Sequence, residues 1–141
     1  MSPTAGSRAH DPVRRRILIV EDDYLVALQF ENALTEAGYE VVDIASTAEE
    51  AVQLVPDHRA ELVLMDVRLA GPRDGIQAAT EILDRFGVRS IFISALADPS
   101  TRARAERAKP IAWLAKPVAD RKLVSTVNAA LRDISGEPDA S

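Results

Sequence analysis

Five short apolar runs alternate along the chain with segments whose apolar residues recur at helical spacing, and this alternation restricts the fold more than any other feature. No run contains more than one polar residue, which is typical of strands buried on both faces of a parallel sheet. The predicted strands are residues 17–20, 41–45, 62–66, 90–93 and 111–115. The pattern therefore predicts an α/β fold, a doubly wound five-stranded parallel sheet covered by five helices.

Helix limits follow from capping signals. The first helix is predicted over residues 24–37, with Asp22 or Asp23 as its N-cap. Ser46 or Thr47, followed by two glutamates, resembles a capping box that opens the second helix, and Pro56 is predicted to end it near residue 55. The third helix ends at Gly87, the fourth starts at residues 98–99, and the fifth ends near residue 134.

A length of 141 residues suits one domain, which we place at residues 15–134 between flexible tails at 1–14 and 135–141. No apolar run is long enough to span a bilayer, so no membrane contact is expected. The chain has no cysteine and its first residues lack the apolar core of a secretory signal. A cytoplasmic location is therefore expected.

Nucleic acid is not an expected partner. The net charge is −5, whereas binding to phosphates needs a basic face. The one basic cluster, residues 14–16, directly precedes the first strand and is either a solvated strand start or a phosphate contact. No helix-turn-helix pattern remains once the predicted fold is accounted for.

Polar residues with chemical potential stand at the ends of four predicted strands. Asp66 ends the third strand, and the first strand runs into Glu21 and Asp22. Ser94 follows the fourth strand and Lys116 follows the fifth. Because parallel strands place their carboxyl ends at one edge, where open α/β sheets bind ligands, we expect these five side chains to lie close together.

Three carboxylates at one edge repel each other unless a cation joins them, and oxygen ligands without His or Cys favour Mg²⁺. Lys116 and the Ser94 hydroxyl are suited to contact phosphoryl oxygens, and the Asp66 carboxylate can itself be a nucleophile that forms an acyl phosphate. We expect Asp22 to bind the metal directly, Glu21 to bind it through water, and Asp23 to cap the helix.

Each of these residues also has an ordinary structural interpretation. The acidic run can simply cap the first helix, Ser94 can cap the fourth, and Lys116 with Pro117 can form a solvated turn. Asp66 can start a turn, as many strand-terminal aspartates do. Their joint occurrence at one edge of the sheet favours the functional interpretation.

Four segments give the chain a resemblance to the receiver domain of two-component response regulators, from about residue 16 to residue 134. They read ILIVEDD, LVLMDVRL, FISA and AKPV. The resemblance implies a flavodoxin-like strand order of 2-1-3-4-5. It implies metal binding by Glu21, Asp22, Asp66 and the backbone carbonyl of Arg68. It also makes Asp66 the phosphoacceptor and Lys116 the phosphate contact.

The same resemblance makes Ser94 and Trp113 the switch residues, and a cis peptide is common at Lys116-Pro117 in the family. It implies a Mg²⁺-dependent phosphoryl transfer to Asp66 from a histidine kinase or a histidine phosphotransfer protein. Helix four, strand five and helix five would then change their partners, and this face is also a possible homodimer interface. In physical terms, a new dianionic group shifts the population of two conformations.

The sequence departs from the family pattern at four places. Ala70 stands where Pro is usual, and Gly75 comes nine residues after Asp66 rather than eight. Lys109 and Pro110 replace the usual Gly-Ala before the fifth strand, and Trp113 replaces the usual Tyr or Phe. Finally, we expect no output domain after the last helix.

The sequence therefore predicts a stand-alone response regulator, not an enzyme, that signals through phosphorylation-dependent protein contacts or serves as a phosphate sink. One alternative is a receiver-fold interaction module that binds its partner regardless of phosphorylation. The other is a small metal-dependent phosphatase or phosphotransferase acting on a separate substrate. This last alternative lacks any visible substrate-binding insertion.

Overall fold

The computed structural model describes residues 14–136, which form one parallel sheet with helices on both faces. The strands are β1 (Arg16–Val20), β2 (Glu40–Ala45), β3 (Leu62–Asp66), β4 (Arg89–Ser94) and β5 (Ala112–Ala115). The helices are α1 (Tyr24–Glu36), α2 (Ala48–His58), α3 (Gly75–Phe86), α4 (Pro99–Ala105) and α5 (Asp120–Ser135), and a 3₁₀ turn at Glu106–Ala108 follows α4.

The strand order is β2-β1-β3-β4-β5, with all neighbours parallel, so the predicted doubly wound, flavodoxin-like fold is confirmed. Successive strand residues point to opposite faces, which divides the core into two layers. One layer packs α2, α3 and α4 against β-strand residues such as Met65 and Phe92. The other packs α1 and α5 against residues such as Ile19 and Leu64.

The register of the strands brings their carboxyl ends level. Val20 pairs with Met65, so the residue after β1 stands beside the last residue of β3. Asp66 pairs with Ile93, and Ser94 pairs with Ala115. The sheet alone therefore aligns the strand-terminal residues before any loop is considered.

Most element limits agree with the sequence within one residue, and three helices have the predicted caps. Asp23 caps α1, Thr47 caps α2 and Asp98 caps α4, each through a side-chain oxygen that accepts a backbone N–H. Helix α1 ends at Glu36, one residue before the predicted limit. Strands β1, β2 and β4 begin one residue earlier than predicted, β4 ends one residue later, and β5 begins one residue later.

The predicted end of α2 near residue 55 is wrong, because the helix includes Pro56 and continues to His58. Proline in a helix removes one N–H donor, but the loss is small close to the end. Arg59 then adopts a left-handed conformation, and the Ala60 N–H donates to the Val55 carbonyl at 3.0 Å. This terminal hydrogen bond closes the helix after the proline rather than at it.

The predicted flexible tails lie outside the described residues, except for Arg14, Ser135 and Gly136. Helix α5 runs one residue past the expected limit and ends with Gly136 in a left-handed conformation. Among residues 14–136, no helix combines the length and apolar character that crossing a bilayer requires. The basic cluster before β1 is engaged in ion pairs, from Arg15 to Glu61 at 3.0 Å and from Arg16 to Glu40 at 2.9 Å.

Lys109 ends the 3₁₀ turn in a left-handed conformation, with φ 49° and ψ 59°. A side chain in this region strains the backbone, whereas glycine adopts it freely. We expect Lys109→Gly to raise the free energy of unfolding by about 1 kcal/mol in urea titrations. Lys109→Ala is the control, since it removes the same charge but keeps the Cβ. An equal gain in both variants would assign the effect to charge instead.

Candidate functional site

Glu21, Asp22, Asp66, Ser94 and Lys116 all line one cleft of about 430 Å³ at the carboxyl ends of the strands. The cleft also includes Asp23, Arg68, Ala95 and Leu96. The sequence-based expectation that the five strand-end side chains meet is therefore realised by the fold. Their individual chemical roles remain predictions.

Asp66 occupies the centre of the cleft and is only 4% exposed. Its Oδ2 accepts a hydrogen bond from Lys116 Nζ at 2.8 Å, and its Oδ1 accepts one from the Arg68 N–H at 3.2 Å. Lys116 follows β5, which lies next to β4, and the Lys116 backbone N–H donates to the Ser94 carbonyl at 3.0 Å. This position lets the Lys116 side chain reach Asp66. The Lys116-Pro117 peptide is cis.

Glu21 is the more buried of the first two acids, at 2% exposure, whereas Asp22 is exposed. The Glu21 backbone N–H donates to the Ala45 carbonyl at 2.9 Å, which anchors Glu21 beyond the end of β1. Its Oε2 accepts from the Asp23 N–H at 3.0 Å. Its Oε1 is buried and lies 3.1 Å from Lys116 Nζ, but makes no hydrogen bond of good geometry.

Burial raises the pKa of Glu21 to about 7. The hydrogen bond from Asp23 lowers it, and the neighbouring Asp66 raises it further. Burial lowers the pKa of Lys116, but its hydrogen bond with Asp66 and its ion pairs with Asp66 and Glu21 outweigh burial and raise this pKa above the ordinary value. Lys116 is therefore a cation that two carboxylates share.

The three carboxylates form the donor set that a hard divalent cation requires. One oxygen each from Glu21, Asp22 and Asp66 lies within 4.8 Å of the others. Mg²⁺ takes oxygen ligands, commonly one or two carboxylates, and retains several waters. The buried Glu21 Oε1 is paired with Lys116 Nζ at 3.1 Å but accepts no hydrogen bond of good geometry, so it retains lone pairs that a metal ion could use.

The two expected switch residues are engaged elsewhere in this structure. Ser94 Oγ donates to the Leu96 carbonyl at 2.8 Å and accepts from the Leu96 N–H at 3.1 Å. The Trp113 ring packs against Phe92, with ring centres 5.0 Å apart, and the Arg102 guanidinium lies 4.7 Å from its centre. Leu96 and Arg102 carry no local sequence signal for these contacts, because nothing near them in the sequence specifies which loop group meets which side chain.

Gly75 begins α3 directly against the backbone of Asp66, and the Gly75 N–H donates to the Val67 carbonyl at 2.8 Å. A Cβ at this position would lie 1.9 Å from the Asp66 carbonyl oxygen. The chain therefore requires glycine at position 75. This position comes nine residues after Asp66, one residue later than is usual in the family that the sequence resembles. Asp74 precedes it as the N-cap of α3.

We expect Gly75→Ala to lower the free energy of unfolding by about 1–3 kcal/mol, because backbone atoms must move to accommodate the methyl group. Phosphoryl uptake at Asp66 should slow as well, since the collision is with the backbone of that residue. Gly87→Ala is the comparison, because nothing lies within 4 Å there and its φ of 70° leaves only backbone strain, which should cost about 1 kcal/mol. Urea denaturation of both variants measures the difference, and equal losses would mean that α3 shifts freely.

The fold and the cleft define a doubly wound α/β domain whose ligand site combines acids and a lysine at the carboxyl edge of the sheet. Residues 17–128 match the family described as the response regulator receiver domain. The chain belongs to this family.

Two relatives in sequence are regulators of known name. The transcriptional regulatory protein PdtaR of Mycobacterium tuberculosis is 36% identical over 129 residues, which are 92% of this chain and 62% of PdtaR. The phyllosphere-induced regulator PhyR of Methylorubrum extorquens is 32% identical over 128 residues, which are 90% of this chain and 47% of PhyR. The chain thus spans less than two thirds of either relative.

Two solved structures resemble the fold closely. The signal receiver domain of a modulated diguanylate cyclase from Desulfovibrio desulfuricans has a TM-score of 0.81 and 34% identity, covering 89% of this chain and 99% of that one. A CheX–CheY–BeF₃–Mg²⁺ complex from Borrelia burgdorferi has a TM-score of 0.77 and 25% identity, covering 83% and 89%.

Proposed function

We propose that this chain accepts a phosphoryl group on Asp66 from the phosphohistidine of a histidine kinase or a histidine phosphotransfer protein, in a Mg²⁺-dependent reaction. It then signals through phosphorylation-dependent protein contacts or acts as a phosphate sink, in the cytoplasm. The observation that carries the proposal is the Lys116 ammonium, which lies 2.8 Å from Asp66 and 3.1 Å from Glu21 in an acid-lined cleft.

In the proposed step, an Asp66 carboxylate oxygen attacks phosphorus and the bond between phosphorus and the imidazole nitrogen breaks, with its electron pair left on that nitrogen. The product is an acyl phosphate and a free histidine. Lys116 sits on one carboxylate oxygen, where it can follow the negative charge onto the phosphoryl group. The protein is the acceptor in this transfer and turns over no separate substrate.

Glu21, Asp22 and Asp66 would hold the metal ion, together with the Arg68 backbone carbonyl. When bound, Mg²⁺ neutralises the carboxylates and offsets the charge on the phosphoryl oxygens. Family membership supports this assignment, since receiver domains bind Mg²⁺ at an acidic pocket, and so does the Borrelia complex, which contains Mg²⁺.

The signalling contact is proposed at α4, β5 and α5, where the chain could also form a homodimer. Ser94 and Trp113 are the proposed switch residues. In this structure Ser94 is hydrogen-bonded to Leu96, and Trp113 lies under Arg102. These contacts favour a second candidate function, an interaction module that binds its partner regardless of phosphorylation. Partner affinity that is the same before and after phosphorylation would select that second function.

Intact mass measurement tests the proposal on the native chain, incubated with a small-molecule phosphodonor and Mg²⁺ or EDTA. We expect one added phosphoryl group with Mg²⁺, little with EDTA, and loss of the group in base, because acyl phosphates hydrolyse readily there. An unmodified protein, even when candidate kinases are supplied, would overturn it. Continued release of phosphate beyond one equivalent from an added ester would instead indicate an enzyme.

A further inference from the structure

An ion pair ties the loop between β3 and α3, residues 67–74, to helix α4. Arg104 Nη2 on α4 donates to Oδ2 of Asp74, the last residue of this loop, at 2.7 Å. The two residues are 30 positions apart in the chain, so the fold alone brings them together. Neither residue lines the acid-lined cleft, and the site described above does not account for their contact.

Asp74 uses both of its carboxylate oxygens. Its Oδ1 accepts the Gln77 backbone N–H at 2.9 Å, and the Gln77 side chain accepts the Asp74 N–H at 2.9 Å, so the two residues form a capping box at the start of α3. The cap fixes the orientation of the carboxylate and leaves Oδ2 for Arg104. The Asp74 side chain is 29% exposed and that of Arg104 is 53% exposed. Arg104 therefore acts on the first turn of α3.

The first turn of α3 lies against the predicted phosphoacceptor. Gly75 follows Asp74, and a Cβ on Gly75 would lie 1.9 Å from the Asp66 carbonyl oxygen and 2.9 Å from the Asp66 carbonyl carbon. The Gly75 N–H also donates to the Val67 carbonyl at 2.8 Å, which closes the loop. Backbones packed this closely leave little room for α3 to shift without moving Asp66. A short series of contacts thus connects Arg104 to the Asp66 backbone.

Arg104 also has a simpler structural explanation, which experiment can separate from this one. It lies in the last turn of α4, where a cation interacts favourably with the helix dipole. Substitution of Asp74 breaks the ion pair but leaves the dipole interaction in place. A second arginine provides the matched control: Arg107 lines the same groove between α3 and α4, and it has no carboxylate within 4.0 Å among residues 14–136.

We propose that Arg104 is a positioning residue for the phosphoryl acceptor and acts through Asp74. The ion pair holds the start of α3, and with it the Asp66 backbone, in the arrangement that accepts the phosphoryl group. It also connects α4 to the acceptor without involving Ser94 or Trp113. The effect on phosphoryl transfer rests on the proposed function, whereas the hold of the ion pair on α3 can be measured without it.

Hydrogen exchange at the Gly75 amide, followed by NMR on the full chain, measures this hold directly. The hydrogen bond to Val67 must open before the amide exchanges, so the exchange rate reports how often the start of α3 separates from the loop. We expect Arg104→Gln and Asp74→Asn each to accelerate exchange by about threefold, the scale of a partly exposed ion pair. Asparagine caps helices as well as aspartate does, so Asp74→Asn removes the charge and keeps the cap.

Initial rates of phosphoryl uptake, measured by intact mass with Mg²⁺ and phosphoramidate, test the effect on the proposed reaction. Arg104→Gln and Asp74→Asn should each slow uptake by about threefold at every donor concentration, because neither residue lines the cleft that the donor enters. Arg104→Lys keeps the charge and should recover most of the rate. The double variant Asp74→Asn/Arg104→Gln should be no slower than either single variant, since both changes remove the same interaction.

Arg107→Gln should match the native chain in both measurements. Equal effects of Arg107→Gln and Arg104→Gln would show a general charge effect and overturn the proposal. Native exchange or native uptake rates in Asp74→Asn would also overturn it, and would leave Arg104 with its helix-dipole interaction alone. If the native chain takes up no phosphoryl group while Gly75 exchange responds as expected, the acceptor function fails, and the hold of the ion pair on α3 stands.

Discussion

Asp66→Asn should gain no phosphoryl group under conditions in which the native chain gains one. The amide that replaces the carboxylate is a poor nucleophile, and its oxygen cannot form the acyl phosphate. The substitution also removes the charge that Lys116 contacts at 2.8 Å. Of all the changes considered for this chain, this one has the largest expected effect on function, because the loss is complete.

The experiment compares intact masses of native and variant protein after incubation with a small-molecule phosphodonor and Mg²⁺. Asp57→Asn is the matched control, since it makes the same chemical change at an exposed residue of α2, away from the cleft. That control should behave as the native chain does. Uptake by Asp66→Asn at the native rate would place the acceptor on another residue and return Asp66 to the role of a turn residue.

A folded Asp66→Asn variant is expected, which keeps the result interpretable. Asp66 raises the pKa of the buried Glu21, a sign that the two carboxylates repel each other. Replacing one of them by an amide relieves this repulsion without changing the shape of the side chain. The native thermal unfolding transition should therefore be retained, and circular dichroism checks this.

The positions of the side chains in the candidate site followed from the sequence because they depend on the sheet rather than on the loops. Each apolar run ends at a polar residue, and a parallel sheet with level strand ends brings those residues to one edge. Glu21 and Asp66 stand on neighbouring strands for this reason, and Lys116 reaches Asp66 from the edge strand β5. The local sequence pattern and the strand order were therefore sufficient to predict that these side chains lie close together.

Other features depended on contacts between residues distant in the chain. The direction of the Ser94 hydroxyl is set by the Leu96 backbone, and the orientation of Trp113 by Phe92 and Arg102. No spacing rule predicts such contacts. Pro56 was misleading for a different reason, because the rule that proline ends a helix is weakest in the final turn, where the lost hydrogen bond matters least.

The second large prediction concerns pH, since the pKa of Glu21 is raised to about 7 by burial. In the unfolded chain this carboxyl has its ordinary pKa of 4.5. Between these two values the folded protein retains the proton that the unfolded chain has released, so the free energy of unfolding falls as pH rises. Below pH 4.5 this contribution is fully present, and above pH 7 it is lost.

Other groups with shifted pKa values do not obscure this interval. The lowered pKa values of Glu50, Glu81 and Asp98 stabilise the fold at higher pH, a contribution that is lost only on acidification below about 4.5. The raised pKa of Lys116 adds stability that persists until pH passes its ordinary value of 10.5. The slope between pH 5 and pH 8 should therefore report on Glu21.

Urea denaturation in EDTA should thus show a loss of up to about 3 kcal/mol between pH 5 and pH 8 in the native chain. Glu21→Gln cannot ionise and should lose most of this slope. Asp22→Asn, an exposed acid in the same cleft, should keep it, because Asp22 does not contribute to the shift at Glu21. A slope as steep in Glu21→Gln as in the native chain would assign the pH dependence to another group.

Adding Mg²⁺ to the same titration tests whether these carboxylates form the metal site. Carboxylates bind a metal ion only when deprotonated, so Mg²⁺ competes with a proton on Glu21 at pH 5.5 but not at pH 8. The native chain should gain more stability from Mg²⁺ at pH 8, and both Glu21→Gln and Asp22→Asn should gain less than the native chain does. Equal Mg²⁺ effects in all three proteins would mean that the ion binds elsewhere, even if the EDTA slope still assigns the raised pKa to Glu21.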